Sequence, residues 1–492
     1  MAFVLIVAAN GQPLQKFRTF YAPGDAAVPL RLSVARKSAV ASDGASWSAA
    51  PHGLYRNGNE YFAGKRYLPD DEVVALLPDL ARGMWVLTRT GVSHIELRPM
   101  TLEQKAASFE ERVRLRHDRY GMVASSHLAR AGDLASNTME ADDNDGLWTS
   151  MYGAAECFRY AVTKDPEALR LAHKSIDAVL FLENVTGVPG LPARSYVKKG
   201  DARPNDGVWH WTADGAIQWK GDTSSDELVG HFFLLSVAHD TLGDAALNTR
   251  LARAARRMMD HIIEHGYYLI DVTGKPTTWG KWSPAYFAGE GKSDSPLNAA
   301  EFLSFLKTAE HLTGDKKYAD EYRKAAVDLG YAALAGRYKE LREEINYSDE
   351  ELAMLSFYPY FRYDHDASML SGIDQWWENC QRENNPLWTY IYSMARPNAP
   401  VDLAAARATL ERIPMDLIEW TTHNSERVPM VKELDRAQLR QSKNLLPPDE
   451  RPVMKWNGNP FVVDGGNEGR SEDDGGFYLL AYWMGRYFGF VV

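Results

Sequence analysis

The chain has 492 residues, of which 45% are hydrophobic and 25% charged, and this is the composition of an ordinary globular protein. Its formal net charge of −11 disfavours nucleic acid or an anionic membrane as the main partner, because either would need a basic face. One compact core would be unusual at this length, so a large repeat-built domain or several domains are expected.

The N-terminal segment does not predict a membrane anchor or a signal peptide. The apolar run over residues 1–9 has no basic segment before it and is too short to span a bilayer. The chain is therefore expected to be cytoplasmic as written, or to be a secreted protein that lacks its leader. Its two cysteines, Cys157 and Cys380, have no spacing that indicates zinc or a disulfide framework.

Residues 1–98 have the pattern of short strands separated by Gly, Pro and Asp turns, which predicts a small β domain. Within it, residues 83–95 predict a hairpin that turns at Arg89, Thr90 and Gly91. Together with residues 68–73, this stretch resembles one blade of the β-propellers of bacterial two-component regulator proteins. The segment is then either a propeller remnant or an unrelated β domain.

From Thr101 onward the hydrophobic period becomes helical. A single helix over residues 101–119 is followed by three pairs of helices. In each pair, a helix that is apolar around most of its circumference precedes an amphipathic (one-sided) helix. The pairs are predicted at 147–162 with 166–182, at 227–238 with 245–263, and at 297–312 with 317–334. The one-sided helix of the second pair has an apolar stripe of Leu247, Leu251, Ala254, Met258 and Ile262.

The three pairs form an internal repeat of helical hairpins. Each pair turns at a short segment that ends in an aspartate, and these aspartates, Asp165, Asp244 and Asp315, are 79 and then 71 residues apart. Further helices are predicted at 349–362, 373–394, 403–420 and 476–488, which brings the count close to twelve. The economical packing of such pairs is a ring, with the apolar helices inside and the one-sided helices outside.

This pattern resembles the six-hairpin, or (α/α)6, toroid of carbohydrate-active enzymes, here over residues 99–492. The fold class is thus predicted to be mainly α, an (α/α)6 toroid preceded by a small β domain. Residues 143–148 (Asp-Asn-Asp-Gly-Leu-Trp) and 225–230 (Ser-Asp-Glu-Leu-Val-Gly) look like the two aspartate-bearing inner-helix starts of the unsaturated glucuronyl hydrolases. The resemblance implies a catalytic domain that acts on glycans.

Acidic residues precede four of the predicted inner helices. If these helices run parallel, their N-termini meet at one rim and bring several carboxylates together. Crowded carboxylates push their pKa values apart, and glycoside cleavage needs such an acid and base pair. The acids concerned are Asp142, Asp143 and Asp145, then Asp222, Asp226 and Glu227, then Asp349, Glu350 and Glu351, and finally Glu472, Asp473 and Asp474.

Among these acids we predict Asp226 as the proton donor and Asp145 as its partner, with Asp143 and Glu227 as alternates. His231 follows Glu227 by one helical turn and is expected to face the same cluster of carboxylates. The segment that contains Asp142, Asp143 and Asp145 has two other interpretations, plain helix capping and a calcium site. The full EF-hand spacing for calcium is absent, and no other cofactor is expected.

Aromatic and basic residues are concentrated beside the same segments and predict a sugar-binding cleft. A tryptophan in a loop needs cover for its ring, which either a sugar or a neighbouring loop would supply. The tryptophans are Trp148, Trp209, Trp211, Trp219, Trp279 and Trp282. Arg194, Lys198, Lys199 and Lys220 supply local positive charge, and arginine suits a uronate carboxylate. His210, Tyr363 and His365 complete the set of titratable candidates.

Three functions remain open from the sequence. The first is a glycoside hydrolase acting on an oligosaccharide that contains a uronic acid, or protonating an unsaturated uronyl ring as the resemblance admits. The second is a polysaccharide lyase in which Tyr196, or Tyr363 with His365, removes a proton next to the uronate. The third is a toroid that binds an oligosaccharide or polysaccharide without cleaving it.

Overall fold

The computed structural model describes residues 11–34, 36–341, 345–431, 441–452 and 454–492. The apolar run at residues 1–9 lies outside this part of the chain. Among the described residues, no helix combines the length and the apolar character that crossing a membrane requires.

The N-terminal region contains two four-stranded antiparallel sheets that share one hydrophobic core. The first has the order β1-β8-β7-β6 and the second the order β2-β3-β4-β5. Trp47, Leu54 and Phe62 of the second sheet pack with Val86 and Ile95 of the first. The predicted hairpin is confirmed as β7 and β8, which pair across Arg89–Gly91. The strands are β1 Leu14–Tyr21, β2 Ser38–Val40, β3 Ser46–Ala49, β4 Leu54–Arg56, β5 Glu60–Phe62, β6 Val73–Pro78, β7 Met84–Thr88 and β8 Val92–Pro99.

The rest of the described chain is mainly helical. Its helices are α1 Leu102–Arg116, α2 Asp145–Thr163, α3 Pro166–Val185, α4 Ser225–Leu242, α5 Ala245–Glu264, α6 Pro284–Ala288, α7 Ser295–Thr313, α8 Lys316–Arg323, α9 Tyr331–Ala335, α10 Tyr338–Leu341, α11 Tyr347–Tyr363, α12 Ala367–Cys380, α13 Pro386–Ala395, α14 Leu403–Arg412 and α15 Gly476–Tyr487. The apolar stripe predicted for α5 is confirmed, since all five of its residues are buried.

Short strands form the loops between the helices. They are β9 Asp118–Arg119, β10 Met122–Val123, β11 Ser125–Leu128, β12 Asn137–Glu140, β13 Ser195–Lys198, β14 Trp209–Trp211, β15 Ile217–Lys220, β16 Tyr268–Ile270, β17 Pro276–Lys281, β18 Thr422–His423, β19 Met430–Val431, β20 Gln441–Ser442, β21 Asp464–Gly465 and β22 Ser471–Glu472. The sheet β13-β15-β14 lies between α3 and α4 in the chain and leads directly into the start of α4.

The repeated turns of the hairpins have a common physical basis. A residue in the left-handed conformation ends the first helix of each pair, at Lys164, Gly243 and Gly314, with φ values of 55°, 66° and 65°. The aspartate that follows then caps the next helix with its side chain. Asp165, Asp244 and Asp315 accept hydrogen bonds from backbone N–H groups of α3, α5 and α8. The 79- and 71-residue repeat is therefore a repeat of helix stops and starts.

Six helices pack in a circuit of contacts. Helix α2 packs against α4 and α15, α7 packs against α4 and α11, and α13 packs against α11 and α15. The neighbouring helices α3, α5, α8, α12 and α14 each pack against members of this set, and α1 packs against α15. The buried side chains of the six helices belong to one large hydrophobic core. The chain thus contains a domain of helical hairpins after a small β region.

Three of the predicted helices are shorter or interrupted. The helix predicted at 317–334 is divided by a π-helical segment, Lys324–Asp328, and by Gly330 with a φ of 75°. The helix predicted at 373–394 is two helices, because Asn384 is left-handed and Pro386 begins α13. The helix predicted at 403–420 ends at Arg412, since Pro414 cannot continue it.

We expect Asn385→Ala to destabilise the protein measurably. The Asn385 side-chain oxygen accepts hydrogen bonds from the N–H groups of Leu387 at 3.0 Å and Trp388 at 3.3 Å. Loss of this cap should reduce the free energy of unfolding in urea by about 0.5–2 kcal/mol. Asn385→Ser keeps a capping oxygen and should lose less. Equal losses in the two variants would show that the cap does not stabilise this junction.

Candidate functional site

The N-terminal ends of α2, α4, α11 and α15 lie together at one end of the helical domain. The carboxylate of Glu227 on α4 lies against Gly146 on α2, where an added Cβ would lie 1.9 Å from Oε2. A small cavity of about 20 Å³ lies at the starts of α2, α11 and α15, and its lining includes Trp148, Glu351, Lys455, Asp474 and Phe477. We call the carboxyl groups at this end the acidic rim. They are Asp143, Asp145, Asp226, Glu227, Glu301, Glu351, Asp473 and Asp474.

Asp226 is partly buried and still reaches the surface, as does Asp474 of the same rim. The side-chain amide of Asn144 donates to its Oδ2 at 3.1 Å. Burial raises the pKa of Asp226 above its ordinary value, although Arg194 and the bond from Asn144 oppose the shift. Asp226 is therefore inclined to hold a proton while it remains within reach of a ligand.

Asp143 is the opposite case. Burial alone would raise its pKa, but Lys220 and Arg194 hold it below the ordinary value. The Lys220 ammonium lies 2.6 Å from Asp143 Oδ1, and the carboxylate is 52% exposed. The pKa values of Asp143 and Asp226 are therefore shifted in opposite directions.

Arg194 holds the loops that carry both acids. Its Nε donates to the carbonyl of Asp143 at 2.7 Å, and its Nη1 donates to the carbonyl of Asp222 at 3.2 Å. Its Nη2 donates to the side-chain oxygen of Asn144 at 3.1 Å. The guanidinium is occupied by these acceptors, so Arg194 orients the rim, and the uronate role predicted for it is not what its contacts favour.

Three other acids of the rim are fully buried. Burial raises the pKa of Glu301 and Glu351 to about 8, and it raises the pKa of Glu227 well above its ordinary value. The Trp282 indole donates to Glu301 at 2.9 Å, whereas neither oxygen of Glu227 has a hydrogen-bond partner of good geometry among the described residues. Burial thus favours the protonated form of all three groups, which adds little negative charge around Asp226.

Asp145, predicted as the partner of Asp226, is turned toward a buried ion pair. Arg119 Nη2 lies 2.6 Å from its Oδ2, the Ser195 hydroxyl donates to the same oxygen, and the Asp142 N–H donates to Oδ1 at 3.1 Å. The Asp145 side chain is completely buried. Burial raises its pKa to about 7, against the opposing effect of Arg119. These contacts favour a structural role over proton exchange with a ligand.

Lys455 is a rim residue that the sequence did not predict. Its ammonium lies 3.1 Å from Asp473 Oδ1 and 5.5 Å from the centroid of the Trp148 ring, and its side chain is 35% exposed. Burial lowers the pKa of Lys455, but Asp473 and Asp474 raise it above the ordinary value, so the group stays charged. Lys455 lies in a loop without a recognisable motif, about 300 residues from Trp148, and no local signal could have paired them.

The tryptophans separate into buried and exposed groups. Trp219 and Trp282 are buried, and Trp219 is covered by the His210 ring at a centroid distance of 4.5 Å. Trp211 and Trp279 are 52% and 55% exposed. Trp279 follows Thr278, whose N–H donates to Asp222 in the loop before α4. Sugar stacking is therefore open to Trp148, Trp211 and Trp279, while the two buried rings fill gaps between loops.

The sheet β13-β15-β14 and its loops contain the remaining basic and aromatic candidates. Lys198 and Lys199 are exposed, Lys220 is buried and also pairs with Asp206 at 3.0 Å, and Trp209 lies 5.7 Å from the Lys220 ammonium. Tyr196 is buried between Phe181 and Tyr120, and burial raises its pKa to about 12. Neither a basic pKa nor access favours Tyr196 as a proton-abstracting base.

The other titratable candidates lie away from the rim surface. His231 is buried, its Nδ1 lies 2.6 Å from the Glu227 carbonyl oxygen, and burial lowers its pKa to about 4. Tyr363 is the last residue of α11 and His365 follows it, whereas Glu351 is near the start of the same helix. A helix of this length spans about 24 Å, so Tyr363 and His365 lie at the opposite end of the domain.

The calcium interpretation gains no support from the side-chain directions. Asp145 faces Arg119, Asp143 faces Lys220, and Asp142 accepts a hydrogen bond from the Ser125 hydroxyl at 2.6 Å. In the described part of the chain, the groups of side chains whose ligand atoms converge do not include these three.

Comparison of the chain with protein-family models, with curated proteins and with solved structures found no match. The function must therefore be inferred from the geometry of the acidic rim.

Proposed function

We propose that the chain is a glycoside hydrolase that acts on an oligosaccharide containing a uronic acid, with Asp226 as the proton donor. We further propose that the circuit of α2, α4, α7, α11, α13 and α15 is the inner ring of an (α/α)6 toroid. The outer helices would then be α3, α5, α8, α12 and α14, which pack against this circuit. The acidic rim is the mouth of the ring in this arrangement.

The observation that carries the proposal is that the pKa values of Asp226 and Asp143 are shifted in opposite directions. One carboxyl has a raised pKa and the other a lowered pKa, and both adjoin Arg194 and Asn144. Two acids whose surroundings push their pKa values apart are the arrangement that general acid and base catalysis at a glycosidic bond requires.

In the proposed reaction, Asp226 gives its proton to the leaving glycosidic oxygen, or to the double bond of an unsaturated uronyl ring. Ionised Asp143 accepts a proton from the attacking water or stabilises the positive charge that develops on the sugar. Trp148 supplies a ring face at the pocket, and the exposed rings of Trp211 and Trp279 supply further sugar contacts. Lys455 supplies the positive charge for a substrate carboxylate.

The test is incubation of the full chain with a panel of uronic-acid glycans, with product mass and ultraviolet absorbance of conjugated uronate followed together. A hydrolase yields products whose combined mass exceeds that of the substrate by one water. It leaves the absorbance unchanged on a saturated substrate and removes the absorbance of an unsaturated uronyl end. An increase in absorbance would replace the proposal with the lyase. A glycan that binds and persists intact would replace it with a binding protein.

We expect Lys455→Met to weaken uronate recognition selectively. Methionine keeps an apolar stem of similar length beside Trp148 but removes the charge. A hydrogen bond to a charged group contributes about 1.5–3 kcal/mol, so KM for a uronate substrate should rise by about 10-fold or more. KM for a neutral analogue should change little. In the control variant Lys316→Met, which removes an exposed lysine, KM should change little for both the uronate substrate and the neutral analogue. Equal changes for charged and neutral substrates would exclude Lys455 as the carboxylate contact.

A further inference from the structure

Three ligand-type side chains meet at the end of the helical domain opposite the acidic rim. His239 and Asp240 lie in the last turn of α4, and His311 lies in the last turn of α7. Asp240 Oδ1 is 3.1 Å from His239 Nδ1 and 3.0 Å from His311 Nε2. The three ligand atoms all lie within 4.8 Å of one another.

Neighbouring groups hold this cluster in place. The Tyr363 hydroxyl at the end of α11 donates to Asp240 Oδ2 at 3.2 Å, and the Tyr363 ring stacks on His311 with a centroid distance of 3.9 Å. The carboxylate and one imidazole are therefore oriented by a third helix. Lys307, one turn before His311, is neutralised by Asp364 at 2.7 Å and Glu310 at 3.2 Å.

We propose that His239, Asp240 and His311 form a binding site for a divalent transition metal of the zinc class. Imidazole nitrogen and carboxylate oxygen are ligands that zinc prefers, at about 2.0–2.2 Å. Ligand atoms at the corners of a tetrahedron of that size are separated by about 3.3 Å. The distances of 3.0 and 3.1 Å from Asp240 to the two histidines are close to this value, and the two histidine nitrogens lie within 4.8 Å of each other. Tyr363 then acts as the outer hydrogen-bond partner that orients a ligating carboxylate.

The exposure of the cluster indicates an open coordination position. The side chains of Asp240, His239 and His311 are 18%, 22% and 38% exposed, so water can supply the remaining ligand. The ion would connect the C-terminal ends of α4 and α7, two helices whose first halves contribute Asp226 and Glu301 to the rim. Because the site is at the far end of these helices, its metal binding does not depend on the proposed hydrolase activity.

The experiment is titration of the EDTA-treated full chain with Zn²⁺ by calorimetry, and with Co²⁺ followed by visible absorption. We expect one ion per chain, a Co²⁺ spectrum of low coordination number, and a rise in the thermal midpoint on adding Zn²⁺. His311→Ala and His239→Ala should abolish all three signals. Tyr363→Phe, which keeps the ring and removes the hydroxyl, should weaken Zn²⁺ binding by about 10-fold or more.

His365→Ala is the matched control, because His365 is an exposed histidine at the same end of the domain that does not join the cluster. It should bind Zn²⁺ like the parent chain. The proposal is overturned if the parent chain binds no Zn²⁺ at micromolar concentration, or if His311→Ala binds as well as the parent. If His365→Ala loses binding equally, the ion is held by surface histidines in general and the site proposed here is wrong.

Discussion

Asp226→Asn should reduce turnover of a uronic-acid glycan by about 10²–10⁴-fold, the contribution of general acid catalysis, while thermal unfolding changes little. The amide oxygen of asparagine can still accept the hydrogen bond that Asn144 now donates to Asp226. It cannot deliver a proton. The substitution therefore removes the proposed chemistry and keeps the local contacts.

The pH dependence of the rate gives the same variant a second readout. Asp226 acts in its protonated form, and burial raises its pKa above the ordinary value, so activity should fall as pH rises through that pKa. Asp143 acts in its ionised form with a lowered pKa, so activity should fall again at low pH. The lower limb reports Asp143 and the upper limb reports Asp226, so Asp226→Asn should remove the upper one.

Asp366→Asn is the matched control for this substitution. Asp366 also starts a helix, and it accepts hydrogen bonds from the N–H groups of Ser368 and Met369, which asparagine can do equally well. It precedes α12 at the end of the domain opposite the rim. Turnover of the glycan by Asp366→Asn should equal that of the parent chain. If Asp226→Asn keeps its activity but unfolds at a much lower temperature, Asp226 is a structural residue and the proposed mechanism fails.

The sequence predicted the hairpins well because their signals are local. Apolar periodicity placed the helices, and Asp165, Asp244 and Asp315 marked their turns, since a left-handed residue followed by a capping aspartate is encoded within a few positions. The interruption of the helix predicted at 373–394 also had a local signal. Asn384 ends one helix in the left-handed conformation, Asn385 caps the next helix, and Pro386 is the first residue of that helix. The apolar residues on both sides continue the helical period, and this is why one long helix was predicted.

The roles within the acidic rim could not be predicted in the same way. Asp143 and Asp145 are two positions apart at the start of α2, yet one is exposed beside Lys220 and the other is buried beside Arg119. Which partner each meets depends on β9 and β15, which pack around the start of the helix from distant parts of the chain. The hydrogen bond from the Trp282 indole to Glu301 and the approach of Lys455 to Trp148 are likewise tertiary effects.

The second large effect that we expect is on stability, from Arg119→Met. Arg119 lies within 2.6 Å of Asp145 and also donates to the Tyr196 carbonyl and the Ser195 hydroxyl. Its side chain is 9% exposed and that of Asp145 is fully buried. Removing one partner of a buried pair is strongly destabilising, so the free energy of unfolding should fall by about 3–5 kcal/mol at about pH 8, where the Asp145 carboxyl of the parent protein is ionised.

The loss in Arg119→Met should depend on pH in a defined direction. In the parent protein, burial raises the pKa of Asp145 from 3.8 to about 7, so the folded state binds this proton more tightly than the unfolded state. Such a group lowers stability as pH rises between those two values. Without Arg119 the pKa rises further, and the deficit of the variant should therefore be larger at about pH 8 than at about pH 5. Urea unfolding at the two pH values measures it.

Two further variants separate charge from packing in this result. The double variant Arg119→Met with Asp145→Leu removes both charges and should recover part of the lost stability, because an apolar pair of similar volume needs no compensating charge. Arg170→Met removes an exposed partner of Glu167 and should change the free energy of unfolding by only about 0–1 kcal/mol. If the deficit of Arg119→Met is equal at both pH values and the double variant is no better, Arg119 stabilises the start of α2 by packing and by its bonds to Tyr196 and Ser195. The ionised Asp145 would then have no part in holding the rim.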